Sequence, residues 1–109
     1  MTADDAIDAL LQQKLQLEEH LPALLAACKT DAEAAALRSS YQHAVNQWNT
    51  AVNQKLVADE ALLGVLVGQL ADIRTQVETA IANADEFSSV LNRIVAGITV
   101  GGKILMLLR

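Results

Sequence analysis

The side chains with chemistry to offer are few and poorly spaced for it. His20 and His43 are the two imidazoles of the chain. Leu17 and Ser40 stand three residues before them, so the Glu-x-x-His pairing that holds di-iron centres in helical bundles is absent. Neither an HExxH zinc pattern nor a glycine-rich phosphate loop occurs. Cys28 is the single cysteine, which rules out an intramolecular disulfide and an all-cysteine metal site. Set among Leu24, Leu25 and Ala27, it reads as a small core residue. The run Glu18-Glu19-His20 reads as solvated helix surface, and local spacing pairs no serine or cysteine with a base. A non-enzymatic role is expected, with no cofactor and no metal.

The remaining distinctive spacing belongs to glycine. Four of the five glycines form two copies of one pattern, Gly64-Val65-Leu66-Val67-Gly68 and Gly97-Ile98-Thr99-Val100-Gly101. On a helix this spacing stacks small residues on one face and lets another backbone approach closely. The two copies mirror one another about Asn83, so an antiparallel hairpin turning there brings them to the same level. On a helical wheel Gly64, Gly68 and Ala61 lie away from Leu62, Leu66, Leu70 and Ile73. Such a helix is apolar on two flanks and needs cover on both. Gly64, Gly68, Gly97, Gly101, Leu62, Leu66 and Leu70 are therefore the expected helix–helix contact residues, with Trp48 as an aromatic anchor.

These residues must be carried by helices. The chain has 109 residues, 52% of them hydrophobic but only 3% aromatic, with a single proline. Leu, Ile, Val and Ala with so few turn formers point to an all-α domain built of few, long elements. The first helix is expected over about 4–28, where Ile7, Leu10, Lys14, Leu17, Leu21 and Leu24 keep alternating three- and four-residue steps. Pro22 falls inside it and is expected to kink it. Thr30-Asp31-Ala32-Glu33 has the form of a capping box and opens the next helix.

From Asp31 no glycine, proline or asparagine supports a stop near Asp59. The pattern favours one helix over about 31–82, on the order of 75 Å long at about 1.5 Å per residue. Asn83 suits a left-handed C-terminal cap and Asp85 an N-cap, leaving a last helix over about 86–108. The expected architecture is three helices in long antiparallel hairpins with coiled-coil-like packing. The alternative is a compact four-helix bundle, should the chain bend near Asp59. Acidic clusters at Asp4-Asp5, Asp31-Glu33, Asp59-Glu60 and Asp85-Glu86 suit four helix starts in that second arrangement.

Between Ser39 and Gln54 the chain carries no carboxylate, lysine or arginine. Gln42, Asn46, Asn49 and Asn53 form an amide stripe there, read as solvated. The last helix is strongly apolar, and Ile104, Leu105, Leu107 and Leu108 are the expected contacts to a partner or a membrane. Its polar side at Ser88, Asn92, Thr99 and Lys103 marks it as amphipathic rather than spanning.

The formal net charge of −5 and the lack of a basic stretch argue against nucleic acid. Acidic residues at Asp4 and Asp5, where a secretory signal would be basic, suggest a cytoplasmic address with association at a membrane kept open. The favoured role is a self-association or adaptor module, a homo-oligomer or a subunit among other helical proteins. The alternatives are a membrane-surface hairpin and a carrier of an apolar small molecule.

Overall fold

The computed structural model describes residues 1–109 and contains four helices: α1 (Ala3–Ala27), α2 (Asp31–Ala51), α3 (Glu60–Ala82) and α4 (Phe87–Met106). The expected single helix over 31–82 is thus corrected to two, and the bundle with a bend near Asp59 is the observed one. Its extents are 42 × 22 × 18 Å. A rod of about 75 Å at about 1.5 Å per residue would have left much of its apolar surface in water, and folding it back buries that surface without a glycine or proline at the break.

Each helix begins at one of the acidic clusters. Thr2 caps α1, accepting from the Asp5 amide while the Asp5 carboxylate accepts from the Thr2 amide at 2.8 Å. Those bonds hold the Asp5 carboxyl below its ordinary pKa. Thr30 Oγ1 accepts from the Glu33 amide at 3.1 Å. The return arm of this expected capping box lands one residue earlier, since Glu33 accepts from the Lys29 amide at 2.8 Å. Asp59 caps α3 by accepting from the Leu62 amide at 3.0 Å. A side-chain cap of this kind stabilises a helix by about 1 kcal/mol.

The α3–α4 turn departs from expectation. Asn83 has φ −85°, and the left-handed residue is Ala84 at φ 53°. Glu86, not Asp85, stands at the N-cap of α4 and makes no side-chain cap bond. Asp85 instead lies 3.8 Å from the Arg93 guanidinium. α1 remains helical through Pro22 to Ala27.

α1 packs on α2, α2 on α4, α4 on α3 and α3 on α1, while α2 and α3 occupy opposite corners with no close backbone approach between them. α1 and α3 run parallel. Gln16 reaches the Arg74 carbonyl at 2.8 Å and His20, a turn later, reaches Glu78 at 2.8 Å, also a turn later. The bundle is therefore two antiparallel hairpins laid side by side, and loop 52–59 crosses one end diagonally to join them. Such a crossing needs more chain than a turn between neighbours.

The last residues clamp this crossing. Val57 and Leu108 form an antiparallel bridge. The Lys55 and Leu56 amides donate to the Arg109 carbonyl at 3.0 and 2.9 Å, and the Ala58 amide donates to the Leu107 carbonyl at 2.8 Å. Backbone groups that neither helix could satisfy are thus paired with one another.

The core divides into two apolar clusters. One, toward the crossing loop, is built around Leu10, Leu63, Leu70 and Ile104. The other, toward the α1–α2 and α3–α4 turns, is built around Leu17, Leu37, Val77 and Ile94.

Candidate functional site

Two features separate this bundle from a uniformly apolar one: a buried amide layer between the clusters, and an apolar end.

The amide layer joins Gln13 on α1 to Gln47 on α2. Both fall in the apolar phase of their helices, Gln13 between Leu10 and Leu17 and Gln47 between Ala44 and Ala51, so helical geometry carries them inward. Gln13 is only 3% exposed. Its Nε2 donates to Gln47 Oε1 at 3.0 Å, and Gln47 Nε2 donates to the Ile98 carbonyl on α4 at 2.9 Å. Gly97 and Gly101 make room for this pair. A Cβ at Gly97 would stand 3.0 Å from Gln13 Oε1, and one at Gly101 would overlap the Gln47 amide. The second glycine motif is thus occupied within the chain, by side chains of α1 and α2.

The first motif is placed differently. Gly64 lies toward Met1, and Gly68 has open space beside it. The α3–α4 hairpin pairs the two helices, but the α4 glycines face the amide layer while Gly68 faces outward. Of the other expected contact residues, Leu66 and Leu70 are buried in the core, whereas Leu62 is exposed. Trp48 is half-buried against the first cluster, with Lys14 Nζ 5.4 Å from its ring centre.

The C-terminal residues also divide. Ile104 and Leu108 are buried in the first cluster, and Leu105 and Leu107 pack against it. Met106 points away from it and is 79% exposed.

Met106 belongs to a larger pattern. The chain has eight exposed large hydrophobic residues, and six of them, Met1, Val52, Leu56, Leu62, Val65 and Met106, sit at the end where loop 52–59 crosses. Leu56 in that loop is 68% exposed. The charged residues of the same end are Asp4, Asp5, Asp59 and Glu60 against Lys55, Lys103 and Arg109, all exposed. The signs nearly balance there, so most of the net charge of −5 lies elsewhere.

The residues nearest to a metal-binding set are Glu19, His20 and Glu78, whose ligand atoms lie within 4.8 Å of one another. They bridge α1 and α3 on the surface. Partial burial raises the Glu78 carboxyl, while hydrogen bonds from His20 and Gln16 outweigh it and leave the pKa below its ordinary value. Glu78 Oε1 already accepts from Gln16 at 3.2 Å and meets His20 Nε2 at 2.8 Å, and these three residues form an inter-helix clasp. At the far end an apolar groove of about 380 Å³ lies between α1 and the α3–α4 turn, with Leu24, Ile81, Phe87 and Val90 in its walls. It has the dimensions a small apolar ligand requires.

The amide layer and the apolar end were not foreseen as such. The amide layer carried a signal, since a glutamine lies in phase with buried leucines or alanines in both helices. The polar stripe at Gln42, Asn46, Asn49 and Asn53 is solvent-exposed, as its reading as a solvated stripe expects.

Comparison with protein-family models, with curated proteins and with solved structures returns no match.

Proposed function

We propose that this protein is a non-enzymatic helical association module that joins end-on to a second copy of itself. The observation that carries this reading is the grouping of exposed Met1, Val52, Leu56, Leu62, Val65 and Met106 at one end of the bundle. Exposed hydrophobics scattered singly are ordinary, whereas their concentration at one end is what a contact surface requires.

The charge pattern favours a like partner. Four carboxylates face three cations at this end, while the rest of the chain carries nine against five. Two copies meeting by their sides or far ends would bring together surfaces of the same sign. Meeting by the near-neutral end minimises that repulsion, and a patch holding both signs can satisfy itself across a two-fold axis. Gly64, Gly68 and Val65 extend the surface along α3, where small residues permit close approach.

Sedimentation equilibrium of the intact chain tests the proposal. Wild type should show concentration-dependent association, and Leu56→Glu with Met106→Glu should abolish it at unchanged helicity. Gly68→Leu should weaken it. A wild-type mass that stays monomeric throughout the concentration series would remove the proposal.

A second reading, binding at a membrane surface, draws on α4. Phe87–Met106 is the one helix long and apolar enough to cross a bilayer by length and composition. Its apolar face is engaged in the bundle through Val90, Ile94, Val100 and Ile104, so lipid contact would fall to Met106 and Leu56 at the exposed end. Flotation with phosphatidylcholine vesicles, with and without anionic lipid, separates the readings. Failure to float with either composition excludes this one.

A further inference from the structure

We infer that the core contains a built seat for one water molecule, which joins Gln13 of α1 to Arg74 of α3 and completes the amide layer. Gln13 spends its Nε2 on Gln47, and its Oε1 is buried with no partner. Arg74 Nε is likewise buried and unpartnered, although the backbone carbonyl of the same residue is taken by Gln16. Both side chains line one cavity of about 10 Å³, the room that the centre of a single water needs. Gln13 Oε1 turns toward Gly97, a residue of the same cavity wall. Leu17, Leu70, Ile73, Val77 and Ile94 supply most of the remainder.

The chemistry of the two free atoms selects the occupant. Gln13 Oε1 is an acceptor and needs a donor, while Arg74 Nε–H is a donor and needs an acceptor. An anion would meet the guanidinium well but would face the amide oxygen. A cation would meet the oxygen but would face Arg74, with Arg93 also in the lining. A small neutral molecule that donates on one side and accepts on the other satisfies both, and water is the one that fits. Gln16, also in the lining, is directed to the Arg74 carbonyl and Glu78, so both atoms would stay unmet without the water.

The consequence is a continuous link across the bundle: the Ile98 carbonyl, Gln47, Gln13, the water and Arg74. Two of its contacts are direct hydrogen bonds, Gln47 to the Ile98 carbonyl and Gln13 to Gln47, and the water closes the span from α1 to α3. It also assigns Gly97 a purpose that helix packing alone does not. A methyl there would stand 3.0 Å from Gln13 Oε1, 3.4 Å from Ile73 Cγ2 and 3.6 Å from Leu70 Cδ1, and would narrow the seat.

Crystal structures of wild type and Gly97→Ala at a resolution that shows ordered solvent test the inference. Wild type should hold one water within hydrogen-bond reach of Gln13 Oε1 and Arg74 Nε, and Gly97→Ala should lose it or displace the Gln13 amide. A direct hydrogen bond between Arg74 Nε and Gln13 Oε1, or a closed wall with no solvent between them, would overturn it. Should Gly97→Ala fail to fold, nuclear Overhauser contacts from water in the wild type give an independent result. Long-lived contacts to the Ile73 and Leu70 methyl groups are expected, and their absence in the folded protein would equally overturn it.

Discussion

The Gln13 amide donates to Gln47 Oε1 at 3.0 Å in the middle of the bundle, and Gly101 is the residue whose missing side chain leaves room for that bond. The level at which α1, α2 and α4 meet is thus set by a polar contact with apolar clusters on either side. Sliding any of these helices by a turn would leave an amide buried without its partner, which is far more costly than exchanging one apolar contact for another.

Gly101→Ala and Gly68→Ala should therefore differ in sign. An added methyl at Gly101 displaces the Gln47 amide from two hydrogen bonds, at about 1–3 kcal/mol for the groups left unmet. At Gly68 there is open space, and alanine should stabilise the helix by about 1 kcal/mol. Urea denaturation on dilute protein reads both. Equal effects at the two positions would contradict the placement of the glycines.

Removing one amide should cost more than removing both. Gln47→Leu leaves Gln13 Nε2 buried and unpaired, with a loss of about 1–3 kcal/mol. Gln13→Leu combined with Gln47→Leu removes the unmet group as well as the bond, so the double variant should be more stable than the sum of the single losses predicts. A double-mutant cycle measures this coupling, and strict additivity would show that the pair does not interact.

The Glu78 clasp should make stability fall in acid. Its carboxyl is depressed below the ordinary range in the folded chain, with hydrogen bonds from His20 and Gln16 overcoming the effect of partial burial. A depressed carboxyl stabilises above its unfolded pKa, and that contribution disappears as pH falls through the lower folded value. Glu78→Gln should flatten the slope of unfolding free energy with pH below about 4.3, the ordinary glutamate value. The effect is small, since the side chain is half-exposed and screened by solvent. A wild-type slope retained in the variant would assign the acid sensitivity elsewhere.

Leu108→Ala should loosen a loop distant from it in sequence. Leu108 is buried in the first cluster, and truncating such a leucine costs about 2–5 kcal/mol. The tail also accepts the amides of Lys55, Leu56 and Ala58. Hydrogen exchange at those three amides should accelerate more than at amides in α2. Unchanged protection there would mean that the clamp does not depend on the anchored leucine.

Much of this architecture was legible in the residues. Thr30 is legible as a cap because a short polar side chain beside a helical pattern has few other uses, whereas Asp59 is legible only as a helix start of the four-helix alternative. The break between Ala51 and Glu60 was misread because propensity alone gives no stop there, and the gain from folding the rod onto itself is a tertiary effect. The turn after Ala82 was located, but Ala84 took the left-handed conformation assigned to Asn83. On α4 the GxxxG spacing places Gly97 and Gly101 beside side chains of α1 and α2. What approaches Gly101 is a glutamine side chain from α2, and a wheel drawn for one helix cannot show that. Met106 and Leu56 resemble their buried neighbours in type, so their exposure follows only from how loop 52–59 and the tail close the end.

Loop 52–59 is the sole covalent tie between the hairpins, and the backbone pairing with the tail begins only at Lys55. A nick after Asn53 would leave each fragment a complete antiparallel pair, with the tail clamp intact on the second. Reconstitution from two separately made pieces would then draw on the polar contacts that cross between them, Gln47 to the Ile98 carbonyl and Gln16 and His20 to α3, turning a folding reaction into a bimolecular one.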